Sequence, residues 1–176
     1  MVKFALSKQL LPLFQNNMMK DTDYSKWQLW SLVILRVVIG WHFLYEGIVK
    51  LLNPNWSSLG YLMDSKGLFE GVFHSIAGNP ALLNVMDFIN MWGLILIGAG
   101  LIVGLFTRIA SIGGIVLLAF YYLSHPAIIG VNYAMPTEGS YLWVNKNLIE
   151  LLTLWVIVLF PTWKTIGMDR FLFNKK

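Results

Sequence analysis

Residues 27–52 read WQLWSLVILRVVIGWHFLYEGIVKLL, a run long and apolar enough to cross a bilayer, which takes about 20 residues. Set into it are Arg36, His42, Glu46 and Lys50. Each ionisable side chain at membrane depth costs about 2.5–3.5 kcal/mol on insertion scales, so their presence in one span needs a common reason. At about 100° per residue they fall within a sector of about 120°. They form a polar stripe on an otherwise apolar helix, the pattern of a site lined inside a helix bundle.

The rest of the chain agrees with a membrane setting. Its 176 residues are 57% hydrophobic and 12% charged, where soluble domains carry about 25% charged residues. Four spanning helices would use about half the chain, leaving one small bundle and no separate soluble domain. The absence of cysteine excludes a disulfide frame, a thiolate metal site and dithiol redox chemistry. The apolar run at residues 10–14 is short, broken by Pro12, and not followed by a small-residue cleavage site, so no cleavable signal is expected.

Residues 1–26 place Lys3, Lys8, Lys20 and Lys26 among Phe4, Leu6, Leu10, Leu11 and Leu13, as in a basic segment lying on the cytoplasmic membrane surface. Ser25 and Gln28 have capping-box spacing at the start of the first span, and Asn53-Pro54 ends it. Beyond it, Leu68, Phe69, Val72, Phe73 and Ile76 recur at helical spacing and predict a short amphipathic outer helix, broken at Gly78-Asn79-Pro80. Further spans are expected at about 86–106, 109–125 (closed by Pro126) and 148–163, before a basic tail at 164–176. Pro136 and Gly139 mark turns in the second outer loop. In the second span, Gly93, Gly98, Gly100 and Gly104 allow close helix approach. The Gly100-x-x-x-Gly104 pattern fits either packing inside the bundle or the seam of a homo-oligomer. The expected fold is all-α, an integral membrane four-helix bundle with a short amphipathic outer helix between spans 1 and 2.

Charge orients the bundle. With both termini cytoplasmic, Lys3, Lys8, Lys20, Lys26, Arg108, Lys164, Arg170, Lys175 and Lys176 lie inside, and only Lys50, Lys66 and Lys146 lie outside. Trp27, Trp30 and Trp163 then mark the inner interface, and Trp56, Trp92 and Trp143 the outer one. The basic charge is a topology signal, so nucleic acid is not an expected partner and the lipid bilayer is.

This orientation gathers polar residues in the outer half: His42, Glu46 and Lys50; Asp87 and Asn90; Tyr121, Tyr122 and His125; Asn145, Lys146, Asn147 and Glu150. Such groups in an apolar bundle can have shifted proton affinities and relay protons. Plainer readings stand beside this one. Glu46 and Lys50, spaced i,i+4 with the acid first, neutralise each other. Glu150, three residues after Asn147, completes a helix cap. His42 is a hydrogen-bonded core histidine, His125 an interfacial residue ending a helix, and Lys146 a solvated one. No histidine spacing supports a metal site, and phosphate loops and nucleophile elbows are absent. Arg36 stands apart, about 14 Å into the first span at 1.5 Å per residue. Its nearest acidic candidate is Asp169 in the tail; it either snorkels towards the cytoplasm or donates to a quinone carbonyl or an anionic group.

The stretches LRVVIGWHFLYEGIVKLLNP, GLFTRIASIGG, YYLSHP, VNKNLIELL and IGMDRFL resemble the DoxX/DoxD family, small four-helix membrane proteins related to the small subunit of thiosulfate:quinone oxidoreductase. The resemblance runs from residue 35 to residue 172, and the long loops before the second and fourth spans look more like DoxD. Arg36, Gly40, Glu46, Gly47, Lys50, Thr107, Arg108, His125, Asn145, Lys146, Asn147, Glu150 and Asp169 fall in its motifs. It implies a subunit of a bacterial inner membrane that passes electrons to quinone beside a partner subunit in the membrane or at its outer face. On that reading Glu46, His42, His125 and Glu150 handle protons. Arg36, Lys50, Tyr121, Tyr122, Asn145 and Lys146 bind quinone or a substrate such as thiosulfate. Quinone is the implied electron acceptor, with nothing bound covalently. Electrons must come from elsewhere, since the chain lacks cysteine, a flavin fingerprint and a haem pair. The alternative is a non-catalytic assembly factor or scaffold of a larger complex, with the stripe as interhelical glue. A small proton or anion transporter fits least, for want of an inverted repeat.

Overall fold

Ser25 Oγ accepts the Gln28 N–H at 3.3 Å while the Gln28 side chain accepts the Ser25 N–H at 3.0 Å, and this capping box opens α1 (Lys26–Leu52). The computed structural model describes residues 24–128, 130–135 and 142–173. The basic residues before Tyr24, the turn signals Pro136 and Gly139, and Lys175 and Lys176 lie outside these. Two short helices follow α1: α2 (Leu59–Met63) and α3 (Glu70–Ala77). The stripe that predicted an outer helix falls on α3, which holds Val72, Phe73 and Ile76, while α2 is an additional turn of helix ahead of it. Phe73 packs with Leu62 and Ala77 in a small cluster, whereas Leu68 precedes α3 and is 98% exposed.

The expected break at Gly78-Asn79-Pro80 separates α3 from the next helix, and Asn79-Pro80 is also the start of α4 (Pro80–Val103). The Asn79 side chain accepts the N–H groups of Ala81 and Leu82, and Pro80 stands at the first helical position, where a missing N–H loses no bond. The helix therefore begins well before the expected residue 86. It stops at Gly104, left-handed at φ 71°, and Phe106 is left-handed too at φ 49°. This sharp turn leads into α5 (Thr107–Ser124). Asn145 caps α6 (Lys146–Leu159), and Phe160-Pro161 ends it before the expected residue 163 because proline disfavours helix for the residue ahead of it. A 3-10 turn (Thr162–Lys164) and α7 (Asp169–Phe173) close the described chain.

Among the described residues three helices, α1, α4 and α5, are long and apolar enough to cross a membrane. The helix in the fourth expected position is shorter, 14 residues and about 21 Å. Among the described residues the regular structure is all helix. Ile39 and Phe43 of α1, Leu94 and Leu101 of α4, Leu118 of α5, Leu154 and Ile157 of α6, and Trp163 form one core. Helices α1 and α4 touch backbone to backbone. A Cβ on Gly98 would stand 2.6 Å from Gly40 O, and one on Gly47 would stand 2.9 Å from Ile95 N. Gly100 and Gly104, by contrast, serve the α4–α5 turn: a Cβ on Gly100 would meet Leu105 O at 3.0 Å, and one on Gly104 would meet Gly167 Cα at 2.7 Å. Their small-residue spacing is used within the chain. Facing outward are Trp41, Tyr45, Leu96, Ile109, Val116, Phe120 and Trp155, all exposed, as on helices surrounded by lipid.

Candidate functional site

His42, Glu46 and Lys50 repeat every four residues and so share one face of α1. The cap decides what meets them. Asn145 accepts the Leu148 N–H at 3.0 Å, so Asn145 rather than Asn147 is the N-cap of α6, and Glu150 lies beyond the capping positions. Glu150 turns towards α1 instead, its Oε1 3.4 Å from His42 Nε2. Glu46 and Lys50 form their i,i+4 pair at 3.2 Å.

These groups line a cavity of about 360 Å³ at the end of the helices where the long loops lie, within the range of small-ligand sites. Phe43, Leu94 and Leu118 give it an apolar floor; Trp56, Ser57, Ser58 and Met135 come from the loops and Tyr61 from α2. The wall of α4 and α5 carries Asn90 and Tyr121, joined by Asn90 Nδ2 donating to Tyr121 Oη at 2.7 Å. The first loop is fixed there by Asp87, which accepts the Ser58 N–H at 2.8 Å and the Ser58 hydroxyl at 2.5 Å. Of the sequence-derived candidates, the cavity collects His42, Glu46, Lys50, Tyr121, Lys146 and Glu150.

The other four lie elsewhere. Asn145 is buried as the cap. Tyr122 donates to Trp143 O at 2.8 Å, fastening the loop before α6. His125 lies behind the cavity wall: its ring stacks on Tyr61 at 3.9 Å between centroids and lies 4.6 Å from Tyr133. Its Nε2 is 3.7 Å from Asp64 Oδ2. Asp64 in turn accepts the N–H groups of Ala134 and Met135 at 3.0 and 2.9 Å, latching the loop between α5 and α6 onto the segment between α1 and α4. Lys66 adds a hydrogen bond to Asn132 O.

The Ala134 and Met135 N–H groups hold the Asp64 carboxyl below the usual carboxylate range, with His125 and Lys66 adding to the effect against the opposing cost of desolvation. A carboxylate with a depressed folded pKa contributes stability above its unfolded value, about 3.9, and loses it as pH falls through the folded value. The latch is therefore expected to be intact at neutral pH and to release only in acid, below about pH 4. Protection of the Ala134 and Met135 amides against hydrogen exchange, corrected for intrinsic rate, should collapse there. In Asp64→Asn protection should be low at every pH; protection equal to wild type would refute the latch.

Arg36 lies at the opposite end, 2% exposed. It donates to Ile166 O at 2.9 Å and Thr162 Oγ1 at 3.4 Å, with Asp169 the charge acting on it from farther off. Asp169 itself accepts the N–H groups of Phe106 and Thr107 at 2.7 and 3.0 Å. Sequence reasoning found Asp169 but missed Ile166 and Thr162, because a backbone carbonyl leaves no mark in a sequence. Tyr61 and Asp64 were missed as well, since nothing in their spacing ties them to residues 121–135.

A family model described as DoxX matches residues 31–126. The match runs from within α1 to the end of α5, takes in the His42, Glu46 and Lys50 face, and stops before the Lys146 and Glu150 side of the cavity. No curated protein and no solved structure matches the chain.

Proposed function

The chain belongs to the DoxX family, and from that premise we propose that it is the quinone-reactive membrane subunit of an oxidoreductase, with the head group held in the cavity between α1, α4, α5 and α6. One observation carries the reading. An apolar floor of Phe43, Leu94 and Leu118 lies beneath two pairs of ionisable side chains, His42–Glu150 and Glu46–Lys50. A quinone head group has apolar faces and polar edges, and its reduction takes up two electrons and two protons. The cavity matches both needs. His42 and Glu150 hold and pass the protons, while Lys50 and Lys146 draw an anionic donor such as thiosulfate or another small sulfur compound. Electrons arrive through a partner subunit in the membrane or at its outer face. In this reading α6 and its following turn complete a four-helix bundle in a bacterial inner membrane with both termini cytoplasmic. The support is charge: Lys26, Arg108, Lys164 and Arg170 lie at one end, and Lys50, Lys66 and Lys146 at the other.

The test is reduction of a short-chain ubiquinone analogue by thiosulfate or a related sulfur donor, using the purified protein with the subunit it co-purifies with. Turnover is expected; none with any such donor, partner present, would overturn the reading. A second reading draws on the same pairs, since groups that neutralise each other also serve as interhelical glue in a non-catalytic assembly factor or scaffold. Replacing Glu46 and Lys50 together by apolar residues separates the two. Lost turnover with intact folding favours the enzyme, whereas dissociation of a co-purifying complex favours the scaffold.

A further inference from the structure

A membrane-soluble ligand must enter its cavity from somewhere, and the helix seams differ in how they are closed. Between α1 and α4 the backbones touch at Gly40, Gly47 and Gly98, leaving no passage. Helices α4 and α5 are joined by the short turn at one end and by the Asn90–Tyr121 hydrogen bond at cavity level. Helices α5 and α6 pack closely, with Leu154 Cδ1 standing 2.6 Å from where a Cβ on Gly114 would lie. The seam between α1 and α6 is different. At its far end Arg36 stitches it shut through Thr162 and Ile166, and the core residues Ile39, Phe43, Leu154 and Ile157 fill its middle. At cavity level the two helices are bridged by the side chains of His42 and Glu150, and the His42 side chain is 32% exposed.

We propose that the α1–α6 seam at the level of His42 and Glu150 is the lateral entrance of the cavity, and that it holds the alkyl or isoprenoid tail of the ligand against lipid. This rests on the quinone reading above and adds the route and the tail subsite. The flanks suit a tail. At about 100° per residue, Val38 and Leu35 share the side of α1 on which His42 lies, one and two turns below it respectively; Ile149 and Thr153 flank Glu150 on α6. Leu35, Val38 and Ile149 are exposed apolar residues. The Thr153 hydroxyl is bonded back to Ile149 O at 2.8 Å, so this flank presents little polarity. A tail lying here leaves the head group beside the His42–Glu150 pair, where its protons are needed. The pair is then the threshold as well as the proton carrier.

Photolabelling of the wild-type full chain in lipid nanodiscs tests this without any substitution. The probe is a ubiquinone analogue with a diazirine near the start of its alkyl tail, and the labelled peptides are read by mass spectrometry. Label is expected on α1 around Leu35 and Val38 and on α6 around Ile149 and Thr153, falling to background with excess unmodified analogue. Competed label on α4, on α5 or on residues 53–67 would overturn the entrance while leaving the quinone reading standing. Label on α1 and α6 that the analogue does not compete reports contact with bulk lipid and would overturn it too. Competed label nowhere on the chain would overturn the quinone reading itself.

Discussion

Asp169→Ala is expected to lower the unfolding free energy of the detergent-extracted protein by about 2–4 kcal/mol, from one buried and one part-buried backbone donor left unpaired and a charge removed from the neighbourhood of Arg36. Two losses combine. The Asp169 carboxylate satisfies two backbone donors, Phe106 N–H and Thr107 N–H, at the start of α5. Buried donors left without partners cost about 1–3 kcal/mol each. Phe106 is also in the left-handed region at φ 49°, a conformation that costs a non-glycine residue about 1–2 kcal/mol. The carboxylate is what holds that turn. The second loss falls on Arg36, which would keep Thr162 and Ile166 as hydrogen-bond partners but lose the negative charge acting on it. Asp169→Asn preserves the shape and one acceptor oxygen, so its loss should be intermediate. Unfolding followed by thermal or detergent titration measures both. A loss below about 1 kcal/mol for the alanine variant, the level of a single ordinary hydrogen bond, would show that the turn and Arg36 are held by something else.

What could be read in advance divides along a physical line. Periodicity and caps are local, so the α1 stripe, the Ser25 box and the Glu46–Lys50 pair were legible from spacing alone. The gathering of His42, Glu46, Lys50, Tyr121, Lys146 and Glu150 followed from charge-based topology, because antiparallel helices bring residues of equal depth together. Direction at the end of a helix was not legible. His125 closes α5 at the right level of the bundle, yet whether its ring enters the cavity or lies behind Tyr61 depends on how the segments after α1 and after α5 pack together. The length of α6 was misjudged for a related reason. Hydropathy runs on through Trp163, but Pro161 stops the helix, and the residues beyond it fold under the Arg36 end instead. Gly78-Asn79-Pro80 does end α3 as expected, but that the same Asn79-Pro80 also caps and opens α4 went unread.

Glu150→Gln is expected to slow quinone turnover by about 100-fold, within the range for losing a positioned general acid–base. The substitution keeps the size of the side chain and its ability to hydrogen-bond His42, so the 3.4 Å contact across the α1–α6 seam has no steric reason to open. What it removes is the exchangeable proton. KM should therefore stay within about threefold, since binding is retained while an interaction needed in the transition state is lost. Glu46→Gln makes the contrast. The Glu46 side chain is 44% exposed and paired with Lys50 in a spacing worth about 0.2–0.5 kcal/mol, whereas the Glu150 side chain is only 11% exposed and faces a histidine. Desolvation strengthens the coupling of Glu150 to its partner and weakens the claim of Glu46 to any special chemistry, so Glu46→Gln should cost little. Turnover, KM and the unfolding midpoint of both variants settle the matter together. Equal slowing of the two would make the proton carrier a property of the whole charged face. Unchanged turnover in Glu150→Gln with an unchanged midpoint would remove Glu150 from the proton path.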